Sequence, residues 1–181
     1  TYATVTNGTP STYSTTAPKN AGTYKTKLTL GTGDNIVSIE INFTIEKATP
    51  TVVTVPIVAE RVYNPDVALA DSDMTGGSVT VADGNSLAGT WNFTGTNIIP
   101  TVNNKGYQAV FTPDDTDNYN TVTRTITVKV TKATPVIAQK PTAGALTYGQ
   151  NLSDSILTGG KAAYQTADGT EITGTFAWKN S

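Results

Sequence analysis

The sequence has no cysteine and no histidine, a single methionine, and only 14% charged residues. Without Cys and His, the chain cannot form disulfides, thiol nucleophiles or histidine acid–base pairs, and nearly all zinc and copper sites are excluded. The formal net charge is −2, and no run of Lys or Arg offers the basic face that nucleic acid requires. We therefore expect no nucleic-acid partner, and anionic membrane surfaces are disfavoured for the same reason.

Long apolar runs are also missing. No stretch approaches the roughly 18 consecutive apolar residues of a membrane span, so we expect no membrane insertion by these residues. The chain begins at Thr1, and we expect any signal peptide or anchor to lie outside it. The residues that are abundant are Thr, Val, Gly and Asn. β-Branched residues suit strands, while Gly and Asn suit turns, so this composition predicts an all-β chain.

An internal repeat is the main signal in the sequence. Lys-Ala-Thr-Pro at residues 47–50 recurs at residues 132–135, and this offset defines the repeat. Residues after each copy match at the same offset, except that one pair of glycines matches at a slightly shorter offset. This difference implies short insertions and deletions in turns. The further matches are Tyr63 with Tyr148, 82–84 with 167–169, 89–90 with 174–175, Gly76-Gly77 with Gly159-Gly160, 22–24 with 106–107, and Ile41, Phe43 and Ile45 with Ile126, Val128 and Val130.

The positions of the two Lys-Ala-Thr-Pro copies predict three units. Residues 1–48 are the trailing part of one module, residues 49–133 are a complete module, and residues 134–181 are the leading half of another. The cut falls at Lys-Ala-Thr-Pro because an alternating apolar strand ends there and proline marks the next start. A cut near residue 95, which gives two units of domain size, remains open.

Alternation of apolar and polar residues predicts the strands. Residues 122–130 and 38–45 each place an apolar face toward a core, and residues 107–111 and 24–30 are their hairpin partners across turns at 113–118 and 31–35. Short strands between turns indicate immunoglobulin-like antiparallel β-sandwich modules. The aromatic residues predicted for the core of the central module are Trp91, Phe93, Tyr107 and Phe111.

Several of these phrases carry a resemblance. Ala-Gly-Thr-Tyr at 21–24, Ile-Glu-Lys-Ala-Thr-Pro at 45–50, Tyr-Gly-Gln at 148–150 and the acidic turn at 111–119 resemble the bacterial Ig-like repeats of large surface proteins, including those called MBG modules. The resemblance covers nearly the whole chain, although Asn64-Pro65 stands where Gly-Gln is expected. It implies an extracellular role in stalks, adhesins or spacer regions of secreted polysaccharide-degrading enzymes. It implies no catalytic residues and no cofactor.

Two groups of acidic residues are candidate calcium ligands. Asp114, Asp115 and Asp117, followed by Asn118, could offer several oxygen ligands, but they lack the spacing of a calcium loop, and such residues are ordinary turn formers. Asp71 and Asp73 are weaker candidates, at a module junction. The turn interpretation is favoured, so we predict no metal site.

Catalytic and crosslinking interpretations are weaker. The carboxylate pairs Asp66 with Asp71 and Asp154 with Glu171 could serve a glycosidase, yet nothing in the sequence makes them converge. A Lys–Asn isopeptide bond, from Lys27 or Lys129 to Asn42, would need a buried acidic neighbour that the sequence does not identify. We therefore predict that the chain is not an enzyme and has no catalytic residues.

The aromatic residues leave a binding role open. Trp91 matches Phe176 and Phe93 matches Trp178 in the repeat, and this exchange of Trp with Phe favours core packing over stacking on sugar. The leading hypothesis is a non-catalytic spacer or stalk whose partners are neighbouring repeats of the same chain. The alternatives are a glycan-binding module with an exposed strip from Tyr2, Tyr13, Tyr63 or Tyr148, and an adhesin that contacts host protein through its turns.

Overall fold

The computed structural model describes residues 1–31, 34, 36–164 and 170–179. Regular structure in those residues consists of short strands and two three-residue 3₁₀ turns, at Asp71–Asp73 and Leu152–Asp154. The prediction of an all-β chain is therefore confirmed. No helix among the described residues is long and apolar enough to cross a membrane.

The chain folds into two compact units, and each is discontinuous in sequence. The first unit comprises residues 1–58, 70–96 and 106–127, and the second comprises residues 59–69, 97–105 and 128–181. The two units divide residues 49–133 between them, and the module boundaries at Lys-Ala-Thr-Pro stay predictions.

The segment before the first Lys-Ala-Thr-Pro phrase forms one antiparallel sheet. Its strands are β1 (Tyr2–Thr6), β2 (Thr9–Pro10), β3 (Gly22–Leu30) and β4 (Val37–Ile45), in the order β2-β1-β3-β4. β3 and β4 form the predicted hairpin, paired from Gly22 opposite Ile45 to Leu30 opposite Val37. The turn predicted at 31–35 falls partly outside the described residues, as does the predicted match of 82–84 with 167–169.

The middle of the chain contributes nine strands. They are β5 (Thr51–Thr54), β6 (Ile57–Val58), β7 (Arg61–Val62), β8 (Met74–Thr75), β9 (Ser78–Thr80), β10 (Gly89–Phe93), β11 (Tyr107–Pro113), β12 (Val122–Ile126) and β13 (Val130–Thr131). In the first unit, β10-β11-β12 form an antiparallel sheet, and β5 pairs with β9 and β6 with β8. In the second unit, β13 pairs in parallel with β7.

The remaining strands belong to the second unit. β14 (Val136–Ala143), β15 (Leu157–Ala163) and β16 (Glu171–Ile172) form an antiparallel sheet in that order. The pairing of β14 with β15 shifts register between Ile137 and Gln139, and the pairing of β5 with β9 shifts between Val52 and Thr54. Each shift marks a bulge two residues into the strand.

The core of the first unit joins two sheets. Val79 on β9, Phe111 on β11 and Val122 on β12 form one buried cluster, and Val52 and Trp91 pack against it. The predictions for Phe111 and for the inward face of residues 122–130 are thus confirmed, since Ile126, Val128 and Val130 are also buried. The other predicted core residues, Trp91, Phe93 and Tyr107, are only half-buried.

The predicted continuous strand at 122–130 is wrong in its length. β12 ends at Ile126 because its partner β11 begins opposite it, at Tyr107. Gly106, just before β11, has φ +90, and a Cβ there would lie 2.8 Å from the Ile126 carbonyl oxygen. The chain therefore stops pairing with β11 at this point and resumes as β13, paired with β7.

The predicted core face of residues 38–45 is wrong at two of its four positions. Ile39 and Ile41 are 61% and 46% exposed, whereas Phe43 and Ile45 are half-buried. Phe43 is covered because it stacks on Tyr24, with ring centroids 5.5 Å apart, and meets the edge of Tyr2. No described residue covers Ile39 and Ile41 in the same way.

Candidate functional site

The acidic turn after β11 is held by its own side chains. The Asn118 backbone N–H donates to Asp115 Oδ1 at 3.1 Å, and Asn118 Nδ2 donates to Asp115 Oδ2 at 2.8 Å. The hydrogen bond from the Asn118 side chain lowers the pKa of Asp115 from its ordinary value. The turn is therefore closed by an Asp–Asn pair of the kind that turn-forming residues favour.

This turn is also bonded to the first Lys-Ala-Thr-Pro phrase. The Ala48 N–H donates to the Asn118 carbonyl at 2.8 Å, and the Asn120 N–H donates to the Ala48 carbonyl at 2.9 Å. Lys47 Nζ donates to the Thr116 carbonyl at 2.7 Å. Both backbone hydrogen-bonding groups of Ala48 are thus used by residues far along the chain.

Two asparagine side chains complete the contact. Asn118 Oδ1 accepts from the Ala21 N–H at 2.7 Å, in a part-buried position. Asn120 Nδ2 donates to the Lys47 carbonyl at 3.2 Å and to Thr49 Oγ1 at 3.0 Å. We call this arrangement of residues 47–49, Ala21, and the turn from Asp115 to Asn120 the junction clamp. It fastens the end of the first sheet to a turn of the β10-β11-β12 sheet.

The clamp bears on the calcium hypothesis for the acidic turn. Both Asp115 oxygens accept hydrogen bonds from Asn118, and Asn118 Oδ1 accepts from Ala21, so these oxygens already have partners. Across the part of the chain that the structure describes, no three His, Cys, Asp or Glu side chains come together as a group that could hold a metal.

Asp71 and Asp73, the other calcium candidates, anchor local structure. Asp71 accepts from Asn92 Nδ2 at 2.8 Å and from the Phe93 N–H at 2.7 Å. These bonds lower the pKa of Asp71, the Asn92 side chain contributing most. Asp73 Oδ2 accepts from the Ala70 N–H at 2.9 Å and closes the 3₁₀ turn.

The carboxylates considered for catalysis have separate structural partners. Asp66 accepts from the Thr170 hydroxyl at 3.0 Å. Asp154 closes the second 3₁₀ turn by accepting from the Asn151 N–H at 3.0 Å, and Glu171 forms an ion pair with Lys161 at 3.1 Å. These contacts stabilise turns and strands, and they orient no carboxylate toward another.

The residues considered for an isopeptide bond have no buried acid beside them. Lys129 is 2.9 Å from Glu60, and both side chains are largely exposed. Lys27 is half-buried on β3 and lies opposite Glu40, which is exposed. Asn42 is exposed on β4. A buried acid that contacts a lysine and an asparagine, which the crosslink requires, is not found at these residues.

The tryptophans both make internal contacts. The Trp91 ring lies 5.5 Å from that of Phe111 at a 54° tilt, against the core cluster. Trp178 Nε1 donates to the Ser155 carbonyl at 2.9 Å, and the residue is 37% exposed. Core packing therefore accounts for Trp91, and partial packing for Trp178.

The tyrosines proposed for a glycan-binding strip differ in exposure. Tyr2 and Tyr13 are half-buried, and the pKa of Tyr13 is raised by burial first and by the nearby Glu40 carboxylate second. Tyr63 is half-buried against Tyr164, with ring centroids 5.7 Å apart. Tyr148 alone among the four is fully exposed, although the repeat aligns it with Tyr63. The two matched tyrosines thus differ in exposure, and the sequence also differs just after them, where Asn64-Pro65 replaces Gly149-Gln150.

The sequence predicts the turn of the junction clamp but not its contacts. Asn118 is a candidate from the sequence only as an oxygen ligand, and neither Ala21, in the Ala-Gly-Thr-Tyr motif, nor Asn120 is predicted to take part in this contact. The sequence signal is a turn rich in Asp and Asn that follows the first Lys-Ala-Thr-Pro phrase, with Thr116 69 residues after Lys47. No protein-family model, no curated protein and no solved structure matches this chain.

Proposed function

We propose that the chain consists of tandem Ig-like β-sandwich modules that act as a non-catalytic spacer, in the stalk of a bacterial cell-surface or secreted protein. The observation that carries the proposal is the junction clamp, in which Ala48 is held through both its N–H and its carbonyl. A linker whose backbone is bonded on both sides bends less than a free one, because bending breaks those bonds. Stiff junctions are what a spacer needs.

Matching strand geometry supports tandem modules. Val52 lies opposite Val79, and Ile137 lies opposite Ala162. These four residues occupy corresponding positions in the repeat, and the bulge follows Val52 and Ile137 alike. Two segments that are one repeat apart therefore share their pairing register as well as their sequence.

A recurring close contact supports the same conclusion. Gly77 has φ +89, and a Cβ there would lie 3.1 Å from Pro56 and from Trp91 Nε1. Gly160 has φ +81, and a Cβ there would lie 2.7 Å from Phe176 and 3.1 Å from Pro141. The repeat aligns Pro56 with Pro141 and Trp91 with Phe176. In both segments an aromatic ring and a proline thus lie close to a glycine of positive φ, where an added Cβ would be crowded.

The core of the first unit supports a sandwich. Val79 comes from one sheet, whereas Phe111 and Val122 come from another, and the three share one cluster. Apolar residues from the inner faces of two sheets form the core of a β-sandwich. The resemblance to bacterial Ig-like repeats adds the extracellular location and the stalk context.

Electron paramagnetic resonance can measure the stiffness of the first junction. The chain has no cysteine, so spin labels at Thr29→Cys on β3 and Thr123→Cys on β12 would be its only labels. Both positions are exposed. We expect a narrow distribution of distances between the labels, because the clamp fixes the strands that carry them.

The matched variants are Asn118→Ala and Asn85→Ala. Asn85 makes the same local pair, with its N–H and Nδ2 donating to Asp83 at 3.0 and 2.8 Å, whereas the Asn118 side chain also accepts from Ala21. Asn118→Ala should broaden the distribution and Asn85→Ala should leave it narrow. A broad distribution in the unsubstituted protein would contradict the spacer proposal.

A carbohydrate-binding role is the second candidate, and one side chain favours it. Tyr148 is fully exposed beside Gly149 in a turn, where its ring could stack on a sugar. Retention on soluble and insoluble polysaccharides, lost on Tyr148→Ala, would support this role. Equal migration of both proteins on every polysaccharide would count against it.

A further inference from the structure

The first sheet carries an apolar face that nothing in the described chain covers. We call it the open face, and its residues on β3 and β4 are Leu28, Leu30, Val37, Ile39 and Ile41. Paired residues of an antiparallel hairpin lie on the same side, so these five side chains share one surface. Each of them is between 46% and 80% exposed. The opposite side is polar and includes the ion pair between Lys25 and Glu40.

The β11–β12 hairpin shows what covers such a face. Phe111 lies opposite Val122, and they are 3% and 7% exposed, whereas the opposed pair Leu28 and Ile39 is 52% and 61% exposed. Val79 on β9 and Val52 on β5 pack against Phe111 and Val122. The cover is therefore the β5–β9 pair, from the segment that follows a Lys-Ala-Thr-Pro phrase.

The chain contains a second pair of this kind. β14 and β15 follow the other Lys-Ala-Thr-Pro phrase, with Ile137 and Ala162 at the positions of Val52 and Val79. Ile137 is 56% exposed, and Ala162 opposite it is half-buried. β14–β15 thus has apolar residues at the same two positions as β5–β9, and its Ile137 is exposed.

We infer that the β14–β15 pair of one copy packs on the open face of a second copy, as β5–β9 packs on β11–β12. The inference uses the repeat but not the spacer role, so the two can fail separately. The two contacting surfaces differ, and a contact between unlike surfaces that does not close into a ring continues into an open chain. The chain should therefore associate head to tail.

Sedimentation velocity tests this directly on the full chain. For the unsubstituted protein, we expect the weight-average sedimentation coefficient to rise over about a hundredfold range of concentration without a plateau at the dimer. Ile39→Lys places a charge on the open face, and Ile137→Lys places one on β14–β15. Both positions are exposed, so the variants should keep the unsubstituted protein's circular dichroism. Each variant alone should remain a monomer.

The decisive experiment is sedimentation of a mixture of Ile39→Lys and Ile137→Lys. Ile39→Lys keeps an intact β14–β15 pair and Ile137→Lys keeps an intact open face, so an equimolar mixture should form dimers and stop there. Thr44→Lys and Gln139→Lys are controls at exposed positions on the other sides of β4 and β14, and they should associate like the unsubstituted protein. Three results would overturn the inference: a monomeric unsubstituted protein, a monomeric mixture, or self-association of Ile137→Lys, which would indicate pairing of two open faces.

Discussion

The first unit contains two hairpins, β3–β4 and β11–β12, with the same antiparallel pairing and the same alternation of apolar residues. Ile41 and Ile126 even occupy matching positions of the repeat, yet Ile41 is 46% exposed and Ile126 is fully buried. The hairpins differ in what packs on them, because β5 and β9 cover only β11–β12. An alternating strand thus defines an apolar face, whereas a second sheet turns that face into a core.

The largest expected effect is a difference in how much the two hairpins contribute to the free energy of unfolding. Phe111→Ala should lower the free energy of unfolding by about 3–5 kcal/mol, because it leaves a cavity in the cluster with Val79 and Val122. At concentrations where the chain is monomeric, Leu28→Ala should change it by no more than about 0.5 kcal/mol, because Leu28 is exposed in the single chain. Urea unfolding followed by Trp91 fluorescence, in a Trp178→Phe background, measures both. Equal losses would show that the open face is covered within the monomer.

The next effect concerns the glycines beside the aromatic rings. Gly77→Ala and Gly160→Ala should each cost about 2–4 kcal/mol, since the new Cβ meets a ring and a proline as well as an unfavourable φ. Gly76→Ala and Gly159→Ala are matched controls, with φ +70 and +68 but open space around the Cβ, and should cost about 1 kcal/mol. Thermal unfolding compares the four variants. If Gly77→Ala cost no more than Gly76→Ala, and Gly160→Ala no more than Gly159→Ala, crowding by the ring and the proline would be contradicted.

A smaller effect tests the junction clamp against an ordinary turn. Asn118→Ala removes the bonds to Ala21 and Asp115 and should destabilise the first unit by about 1–3 kcal/mol. Asn85→Ala removes only a local bond to Asp83 and should cost less than about 1 kcal/mol. Hydrogen exchange at the Ala21 and Ala48 amides provides the readout. Faster exchange in Asn85→Ala than in Asn118→Ala would contradict the clamp.

The smallest effect is a dependence of stability on pH. Asp71 and Asp115 have a folded pKa below their ordinary value of 3.8, so both carboxylates stabilise the fold above that pH. The contribution is lost as the pH falls through the lowered folded pKa. The difference in melting temperature between the unsubstituted protein and Asp71→Asn should therefore be largest near neutral pH and shrink below about pH 4. A difference that grows in acid would have the wrong sign.

Much of the fold could be predicted because the strands are short and alternate clearly. The β3–β4 and β11–β12 hairpins lie where alternation placed them, and Phe111 lies in the core. The exposure of Ile39 and Ile41 could not be predicted, because alternation says which side of a strand is apolar and nothing about what covers it. The end of β12 at Ile126 could not be predicted either, because it depends on where its partner strand β11 begins.

The candidate site was harder to predict than the fold. Asp115 and Asn118 form a local pair, and such pairs can be inferred from composition. The bond from Ala21 to Asn118 spans 97 residues, and only the folded chain brings these two together. The contact between Tyr63 and Tyr164 spans a similar stretch of chain, and the pKa of Tyr164 is raised by burial first and by Tyr63 second. The repeat instead aligned Tyr63 with the exposed Tyr148.

The most direct test of the account is the length of a protein built from repeated copies of residues 49–133. If the modules are spacers with clamped junctions, small-angle scattering should give a maximum dimension that increases by an equal step with each added copy. The cross-section should stay constant, and Asn118→Ala in every copy should shorten the particle. A maximum dimension that grows only as the cube root of the number of copies would mean compact packing, and it would contradict the account.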